Sequence, residues 1–284
     1  MRCDLFRSLW GWPIGPDSDW AACGRDTRDA GFVGVEARLP PTVEGAQRLR
    51  RALEGERLDY IAVVFTGGDV IPDQAWSPDD HLAFLERAIE RAQVAGARFV
   101  NALPGNDRWS LAQQVDFLSR AHELGQRAGI TVSLETHRAS SLYSPWLTLE
   151  IIAQAPDLRF TADLSHWLVV AERCLDDPAD DWSPFLDRVH HAQARVGYDQ
   201  GPQVPHPVAP EYARWLDWHR AMWQAIWVRH RAAGREWTSV TPEFGPDGYT
   251  HLLPFTRAPI ADVWDLNRWM AADLRRQFDQ WSRL

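Results

Sequence analysis

Lysine is absent from this sequence, since all 30 basic residues are arginine. Without a lysine amine the chain cannot form the Schiff base that one class of aldolases and the pyridoxal phosphate enzymes require. The lysine of a phosphate-binding P-loop is missing for the same reason. Arginines never occur in runs longer than two, and acidic residues outnumber them by 39 to 30. We therefore expect no nucleic-acid partner, because such a surface needs a basic stripe.

Cysteines and long apolar runs are also scarce. The three cysteines, Cys3, Cys23 and Cys174, are an odd number without close spacing, which indicates reduced thiols in a cytoplasmic protein. The longest apolar run covers the six residues of Tyr60–Phe65, and the first segment, MRCDLFRSLWGWP, has no apolar core. A membrane-spanning helix needs about 20 apolar residues. We therefore expect no signal peptide and no membrane partner.

Short runs rich in Val, Ile, Leu and Phe recur along the chain and alternate with helix-like stretches. They begin near residues 3, 32, 60, 98, 130, 159, 188 and 238. Strands alternating with helices at about thirty residues per unit indicate parallel strands joined by crossover helices. Eight such units in 284 residues predict an α/β protein, a single (β/α)8 TIM barrel over residues 1–284. The alternative, a doubly wound open sheet, usually carries a glycine fingerprint that Gly11–Gly15 does not supply.

Two helices have clear start and stop signals. The segment Ser77–Asp80 offers an N-cap followed by proline, and Gly96 ends the helical stretch; Ser110–Gly129 repeats the pattern. The longer interval between strands 7 and 8 contains a Pro/Gly-rich loop, Val196–Pro210, and a Trp-rich helix, Glu211–Ala233. We expect these Trp side chains to pack on the barrel or on a second subunit. The loop either covers the pocket or braces a homodimer.

Alternation along the last four strands assigns side chains to the two faces of the barrel. Helices cover the outside, so the outward face is apolar and the polar residues of each strand must point inward. The inward set comprises Glu135 and His137 on the fifth strand (Thr131–His137), Asp163 on the sixth (Arg159–Ser165), His191, Gln193 and Arg195 on the seventh, and Glu243 on the eighth. The carboxyl ends of these strands are where TIM-barrel active sites lie.

Three inward carboxylates need a compensating cation, because each raises the pKa of the others in a partly desolvated site. A divalent metal ion bound by Glu135, Asp163, Glu243 and either Gln193 or His191 supplies that charge. This oxygen-rich ligand set favours Mn²⁺ or Mg²⁺, with Co²⁺ or Zn²⁺ as alternatives. A single carboxylate at a strand end is more often a helix cap or an ion-pair partner. The prediction of a metal site therefore depends on the recurrence over four neighbouring strands.

The same strand ends resemble those of the xylose-isomerase-like TIM barrel superfamily. The matching segments are ETHR (135–138), DLSHW (163–167), HAQAR (191–195) and TPEFGP (241–246). This superfamily includes sugar isomerases, ketose 3-epimerases, hydroxypyruvate isomerases and inosose dehydratases, with endonuclease IV as a distant relative. The likeness extends through nearly the whole chain and is sharpest from about residue 130 to 250.

The resemblance implies roles for individual residues. Glu135, Asp163 and Glu243 fall at metal-ligand positions. The fourth ligand of many relatives is a His on the seventh strand, whereas hydroxypyruvate isomerases have a Gln two residues after a His. Gln193 matches that second pattern, and His191 is the alternative. The catalytic lysine of the larger xylose isomerases has no counterpart here, so hydride-shift chemistry of that type is not expected.

Substrate contacts are predicted partly from the resemblance and partly from position. His166 and Arg195 match positions at which relatives hold substrate oxygens, and His191 is a further candidate. His137 follows the fifth strand closely enough to line the pocket. Trp10, after the first strand, either stacks on a sugar face or packs at the mouth of the barrel.

Three more polar residues end strands or follow them. Glu36 and Arg38 end the second strand, where pairing with each other or with neighbours accounts for both. Asn101 ends the fourth strand, where it reaches a substrate or closes a turn. Arg138, like His137, lies close enough to the fifth strand to line the pocket.

A metal ion at this site implies a specific chemistry. Coordination of a substrate carbonyl acidifies the neighbouring C–H and stabilises the enediolate that forms, and the catalytic pair Glu135 and Glu243 removes and returns the proton. We therefore predict a metal-dependent isomerase or epimerase of a small sugar or hydroxy-keto compound. A dehydratase on the same scaffold is the alternative. An endonuclease IV-like phosphodiesterase and a non-catalytic sugar-binding protein are less favoured.

Overall fold

Eight parallel strands form a closed barrel in chain order in the computed structural model, which describes residues 1–15, 18–246 and 248–283. The strands are β1 (Arg2–Ser8), β2 (Gly34–Arg38), β3 (Asp59–Phe65), β4 (Phe99–Leu103), β5 (Val132–Glu135), β6 (Phe160–Ala162), β7 (Val189–Ala194) and β8 (Trp237–Pro242). The barrel is closed by pairing of β1 with β8. The predicted (β/α)8 TIM barrel is therefore confirmed.

Helices connect the strands on the outside of the barrel. They are α1 (Trp20–Asp29), α2 (Val43–Gly55), α3 (Pro78–Val94), α4 (Leu111–Ala128), α5 (Pro145–Gln154), α6 (Ser165–Ala171), α7 (Ser183–Leu186), α8 (Ala213–Ala232) and α9 (Val263–Ser282). A 3₁₀ turn, Pro210–Tyr212, precedes α8. Within the described part of the chain, no helix combines the length and the hydrophobicity that a membrane span requires.

The strands β5 and β6 are shorter than predicted, because side chains at their carboxyl ends bond to the backbone and end the ladder. Thr136 Oγ1 donates to the Asp163 carbonyl over 2.8 Å. The Asp163 carboxylate in turn accepts from Ser165 N over 3.0 Å. Such local bonds compete with strand pairing. As a result Asp163 lies in the turn directly after β6, and His137 lies in the turn after β5.

The long insertion before β8 packs on the barrel as one of the two predicted alternatives requires. Trp223 and Trp227 of α8 are buried in the apolar layer between helices and strands. Trp227 also packs against Phe278 and Trp281 of α9, with ring centroids 5.3 and 5.9 Å apart. Aromatic rings of this size bury much apolar area, so α8 and α9 are fixed to each other as well as to the sheet.

Inside the barrel an apolar plug closes the end that lies at the strand amino termini. Phe6, Ile61 and Phe99 form a separate cluster there and are fully buried. His191 rests on this plug, since its ring centroid is 5.4 Å from that of Phe99. Polar side chains fill the barrel above that level, toward the carboxyl ends of the strands. The polar groups above the plug therefore lie at the end at which an active site is expected.

Candidate active site

A cavity of about 540 Å³ opens at the carboxyl ends of the strands. Its charged lining includes the carboxylates of Glu36, Glu135 and Glu243. Aromatic rings surround the mouth, those of Trp10, Trp12, Phe65 and Tyr249 among them. Carboxylates at the base and aromatic rings at the mouth are features of a pocket for a small polar molecule.

Two amide side chains link the carboxylates at the base of the cavity. Asn101 Nδ2 donates to Glu36 Oε1 over 2.8 Å and to Glu135 Oε2 over 2.7 Å. Gln193 Nε2 donates to Glu36 Oε1 over 3.1 Å and to Glu243 Oε1 over 2.9 Å. A continuous chain of hydrogen bonds therefore joins Glu135 to Glu243 through Glu36. All of these contacts lie inside the barrel and are buried or nearly so.

Glu36 is the site residue whose importance the sequence analysis underestimated. It is 2% exposed and receives hydrogen bonds from Asn101 and Gln193, and His191 Nε2 approaches it at 3.2 Å. Arg38 instead pairs with Asp69 at the rim. The sequence alone could have predicted this position. Apolar residues flank Glu36 on both sides in β2, so its side chain must point to the inside of the barrel.

Asp163 lies beside the guanidinium group of Arg195, which also lines the cavity. Arg195 Nη2 pairs with Asp163 Oδ2, and its Nε donates to Ser165 Oγ over 3.2 Å. Arg195 Nη1 lies 3.4 Å from Glu243 Oε2. Both Asp163 and Arg195 are buried. Arg195 therefore bridges two of the predicted metal ligands.

The carboxylates carry perturbed pKa values because they are buried and close to one another. Burial raises the pKa of Glu135 well above its ordinary value, and the negative charges of Asp163 and Glu36 add to this. Burial likewise raises the pKa of Glu243 well above its ordinary value, although Arg195 opposes the shift. For Glu36 the effect of burial is outweighed by His191 and by hydrogen bonds, so its pKa is lowered. Burial also raises the pKa of Asp163, although Arg195 opposes the shift. Three of the four carboxylates therefore have a raised proton affinity.

Two neutral imidazoles lie near Asp163, that of His137 on the cavity wall and that of His166 directly behind it. The ring centroids of His137 and His166 lie 3.9 Å apart, with the ring planes tilted by 51° to each other. Burial lowers the pKa of His137 to about 3 and that of His166 well below its ordinary value. His166 Nε2 accepts from Arg195 Nη2 over 3.0 Å, which assigns the ring proton to Nδ1. That Nδ1 is buried without a hydrogen-bond partner.

The long loop between β7 and α8 supports the segment that carries Glu243. Gln203 bonds to Gly245 twice, through Oε1 to the Gly245 amide at 2.9 Å and through Nε2 to its carbonyl at 3.3 Å. A Cβ added at Gly245 would lie 2.0 Å from the Trp10 ring. Gly245 is therefore needed for the close packing of Trp10 at the mouth. Gln203 was not among the site residues predicted from the sequence.

The predicted site residues are brought together at one end of the barrel, but not all of them line the cavity. Those on the cavity wall are Glu135, His137, Arg195, Glu243 and Trp10. Those directly behind the wall are Asp163, His166, His191 and Gln193, all at most 1% exposed. His191 has both ring nitrogens engaged, with Ser239 Oγ at 2.8 Å and with Thr241 Oγ1 at 3.1 Å and Glu36. A direct substrate contact by His191 is therefore not apparent in this arrangement.

The donor chemistry of the site suits a divalent cation. Four carboxylates, those of Glu36, Glu135, Asp163 and Glu243, lie together at this end of the barrel, and Arg195 pairs with two of them. The carbonyl oxygen of Gln193, Oε1, is buried and has no hydrogen-bond partner. An unpartnered buried oxygen among excess negative charge suits an oxygen-binding cation. Within the described residues, however, no three Asp, Glu, His or Cys side chains converge closely enough to hold a metal ion together, since Arg195 and the amides occupy the carboxylates.

The chain belongs to the xylose isomerase-like TIM barrel family, whose family model matches residues 25–221. Comparison with curated protein sequences gave no match. Solved structures with the same fold are similar over nearly the entire chain. The structure of an L-ribulose 3-epimerase gives a TM-score of 0.67 at 16% identity and covers 100% of this chain and 96% of its own.

Two further solved structures indicate the range of the family. A xylose isomerase-like TIM barrel protein from Mycobacterium smegmatis, in complex with magnesium, has a TM-score of 0.63 at 15% identity, covering 96% of this chain and 97% of its own. The probable 3-DHS dehydratase AsbF from Bacillus anthracis has a TM-score of 0.62 at 14% identity, covering 97% and 99%. At these identities the similarity shows the fold and does not transfer an activity.

Proposed function

We propose that this chain is a divalent-metal-dependent isomerase or epimerase that acts on a small sugar or hydroxy-keto compound. The observation that carries the proposal is the pair Glu135 and Glu243, two carboxylates that face one cavity and whose pKa values are raised by burial. A carboxylate with raised proton affinity is a stronger base toward a carbon-bound proton. Two of them around one substrate can remove a proton and return one.

The metal ion would be Mn²⁺ or Mg²⁺, held by Glu135, Asp163, Gln193 and Glu243. The unpartnered Oε1 of Gln193 supports its assignment as the fourth ligand, whereas the two nitrogens of His191 are already bonded. When bound, such an ion polarises a substrate carbonyl and makes the adjacent C–H more acidic.

The remaining residues bind and orient the substrate in this proposal. Arg195 presents N–H groups beside Glu243, where it can hold a substrate oxygen, and the His137 imidazole lines the same wall. The His166 Nδ1–H is a spare donor directly behind that wall. Trp10 offers an aromatic face at the mouth. Asn101 links Glu135 to Glu36, and Gln193 links Glu243 to Glu36. The two amides thereby hold Glu135 and Glu243 at separate positions.

Solvent deuterium uptake tests the assignment of the two glutamates. The protein loaded with Mn²⁺ is incubated in D₂O with ketoses, keto acids and inososes, and exchange at carbon is followed by NMR. We expect Glu135→Gln and Glu243→Gln each to lower exchange by at least about 100-fold, the scale of general acid–base catalysis. Asp69→Asn is the matched control, because Asp69 lines the cavity rim and pairs with Arg38. Undiminished exchange in both glutamine variants would overturn the assignment.

Chelation and product mass complete the test. Removal of metal with EDTA should abolish exchange, and added Mn²⁺ or Mg²⁺ should restore it. A product of unchanged mass identifies an isomerase or epimerase, whereas a product lighter by one water identifies a dehydratase. A product lighter by one water would mean that the same residues catalyse a lyase reaction. In that reaction the β-hydroxyl leaves as water after the proton has been removed.

A further inference from the structure

Three guanidinium groups line the cavity, and they differ in their partners. Arg38 pairs with Asp69 at the rim, and Arg195 pairs with Asp163 at the base. Arg138 also lines the cavity but has no carboxylate partner among residues 1–15, 18–246 and 248–283. It is only partly exposed. A half-buried guanidinium in this position can bind an anion that enters the cavity.

Tyr249 fixes the position of Arg138 in the wall. The Arg138 Cζ atom lies 5.2 Å from the centroid of the Tyr249 ring, and the Arg195 Cζ atom lies 4.8 Å from the same centroid. The Tyr249 ring thus contacts two guanidinium groups. Tyr249 in turn packs edge-on against Trp10 at a centroid distance of 4.8 Å. Such cation–π contacts orient a guanidinium without neutralising its charge.

The cavity is therefore electrically asymmetric. Its base carries Glu36, Glu135 and Glu243, and its wall carries Arg138, which has no carboxylate partner among the residues that the structure describes. Arg138 follows Glu135 by three residues, so the cationic group and the reacting carboxylate belong to the same strand end. A molecule that fits this arrangement has a neutral hydroxy-carbonyl part for the base and an anionic group for the wall.

We propose that Arg138 binds a carboxylate of the substrate, so that the substrate class is an acidic sugar, a keto-sugar acid. The inference rests on the proposed function and narrows it. The guanidinium fork presents parallel N–H groups that match the two oxygens of a planar carboxylate. A phosphate dianion has three terminal oxygens and a larger charge, for which this wall offers one guanidinium and one phenol. The cavity volume of about 540 Å³ is within the range of small-molecule sites.

Binding of three probes of equal carbon number tests the proposal. The dissociation constants of D-fructuronate, D-fructose and D-fructose 6-phosphate are measured by calorimetry on the Mn²⁺-loaded protein. We expect the uronate to bind at least tenfold more tightly than either of the other two. Arg138→Met should remove that preference and leave the affinity for D-fructose within twofold. Arg138→Lys should retain part of the preference for the uronate, since the positive charge is kept but the parallel N–H groups of the guanidinium are lost. Arg38→Met is the matched control and should leave the preference intact.

The outcomes separate this inference from the proposed function. Equal affinity for D-fructuronate and D-fructose, with deuterium exchange into the neutral ketose, would overturn the carboxylate site and leave the isomerase or epimerase assignment standing. Preference for D-fructose 6-phosphate would overturn it in favour of a phosphate group. An Arg138-dependent preference for the uronate without exchange into any probe would support the carboxylate site and contradict the proposed chemistry. Equal weakening of all three probes by Arg138→Met would indicate a structural role and overturn the inference.

Discussion

Glu36 shows how one buried carboxylate determines the orientation of its neighbours. An ionised carboxylate only accepts hydrogen bonds, so Asn101 and Gln193 must turn their NH₂ groups toward it. Their carbonyl oxygens then face away, and both are buried without a partner. Glu36 is therefore a positioning residue: it acts on the site through Gln193, the proposed fourth metal ligand.

A substitution at Glu36 should weaken metal binding without removing a ligand. In Glu36→Gln the new side chain can donate as well as accept, so the Gln193 amide is no longer held in one orientation. We expect the affinity for Mn²⁺ to fall by roughly 10- to 100-fold, as for other groups that orient metal ligands. Electron paramagnetic resonance of free Mn²⁺ measures this independently of activity. Asp69→Asn is the control, and an unchanged Mn²⁺ affinity in Glu36→Gln would contradict the orienting role.

Parity along the strands was sufficient to predict most of the inward side chains. It placed Glu135, Asp163 and Glu243 at one end of the barrel, where Glu135 and Asp163 are buried and the Glu243 side chain is 14% exposed. It could not predict that Arg195 bridges Asp163 and Glu243. That contact depends on how three separate turns are placed in space, and no local pattern encodes their relative position.

At the scale of whole elements, the helix limits could be predicted where capping signals were complete. The predicted segment Ser110–Gly129 corresponds to α4, with a reciprocal capping box at its start. Gly129 ends it with a φ of 70°, a left-handed conformation that favours glycine. The short α6 and α7 were not predicted, because helices of 7 and 4 residues are too brief to show a period of 3.6.

The capping box of α4 should contribute measurably to stability. Ser110 Oγ accepts from the backbone N–H of Gln113, and the Gln113 side chain bonds back to the Ser110 amide. We expect Ser110→Ala to lower the free energy of unfolding by about 1 kcal/mol. Ser144→Ala is a matched control, because Ser144 occupies the N-cap of α5 without a side-chain cap bond. Urea unfolding measures both, and equal losses would show that the capping bond is not the cause.

For the molecule as a whole, buried histidines govern the response to acid. Seven of the ten histidines have lowered pKa values, chiefly through burial: His81, His122, His137, His166, His190, His219 and His230. The unfolded chain protonates near pH 6.5, whereas the folded chain does so at lower pH. Below pH 6.5 the unfolded state therefore binds more protons, and acid destabilises the fold. The raised pKa values of Glu135, Asp163 and Glu243 act in the opposite direction, but these are three groups against seven.

The metal-free protein should accordingly lose stability as the pH falls from 7 to 5. Each histidine whose folded pKa lies near 4 or lower contributes about 1.4 kcal/mol per pH unit below 6.5. His219, whose pKa burial lowers to about 4, holds the Trp215 carbonyl through Nδ1 at 2.8 Å. His219→Gln keeps a donor and an acceptor but cannot titrate, so its loss of stability over this interval should be smaller by about 2 kcal/mol. Urea unfolding at pH 7, 6 and 5, followed by Trp fluorescence with EDTA present, measures the two slopes. Identical slopes would mean that the charge state of His219 does not change on unfolding, and the acid sensitivity would then have to arise elsewhere in the barrel.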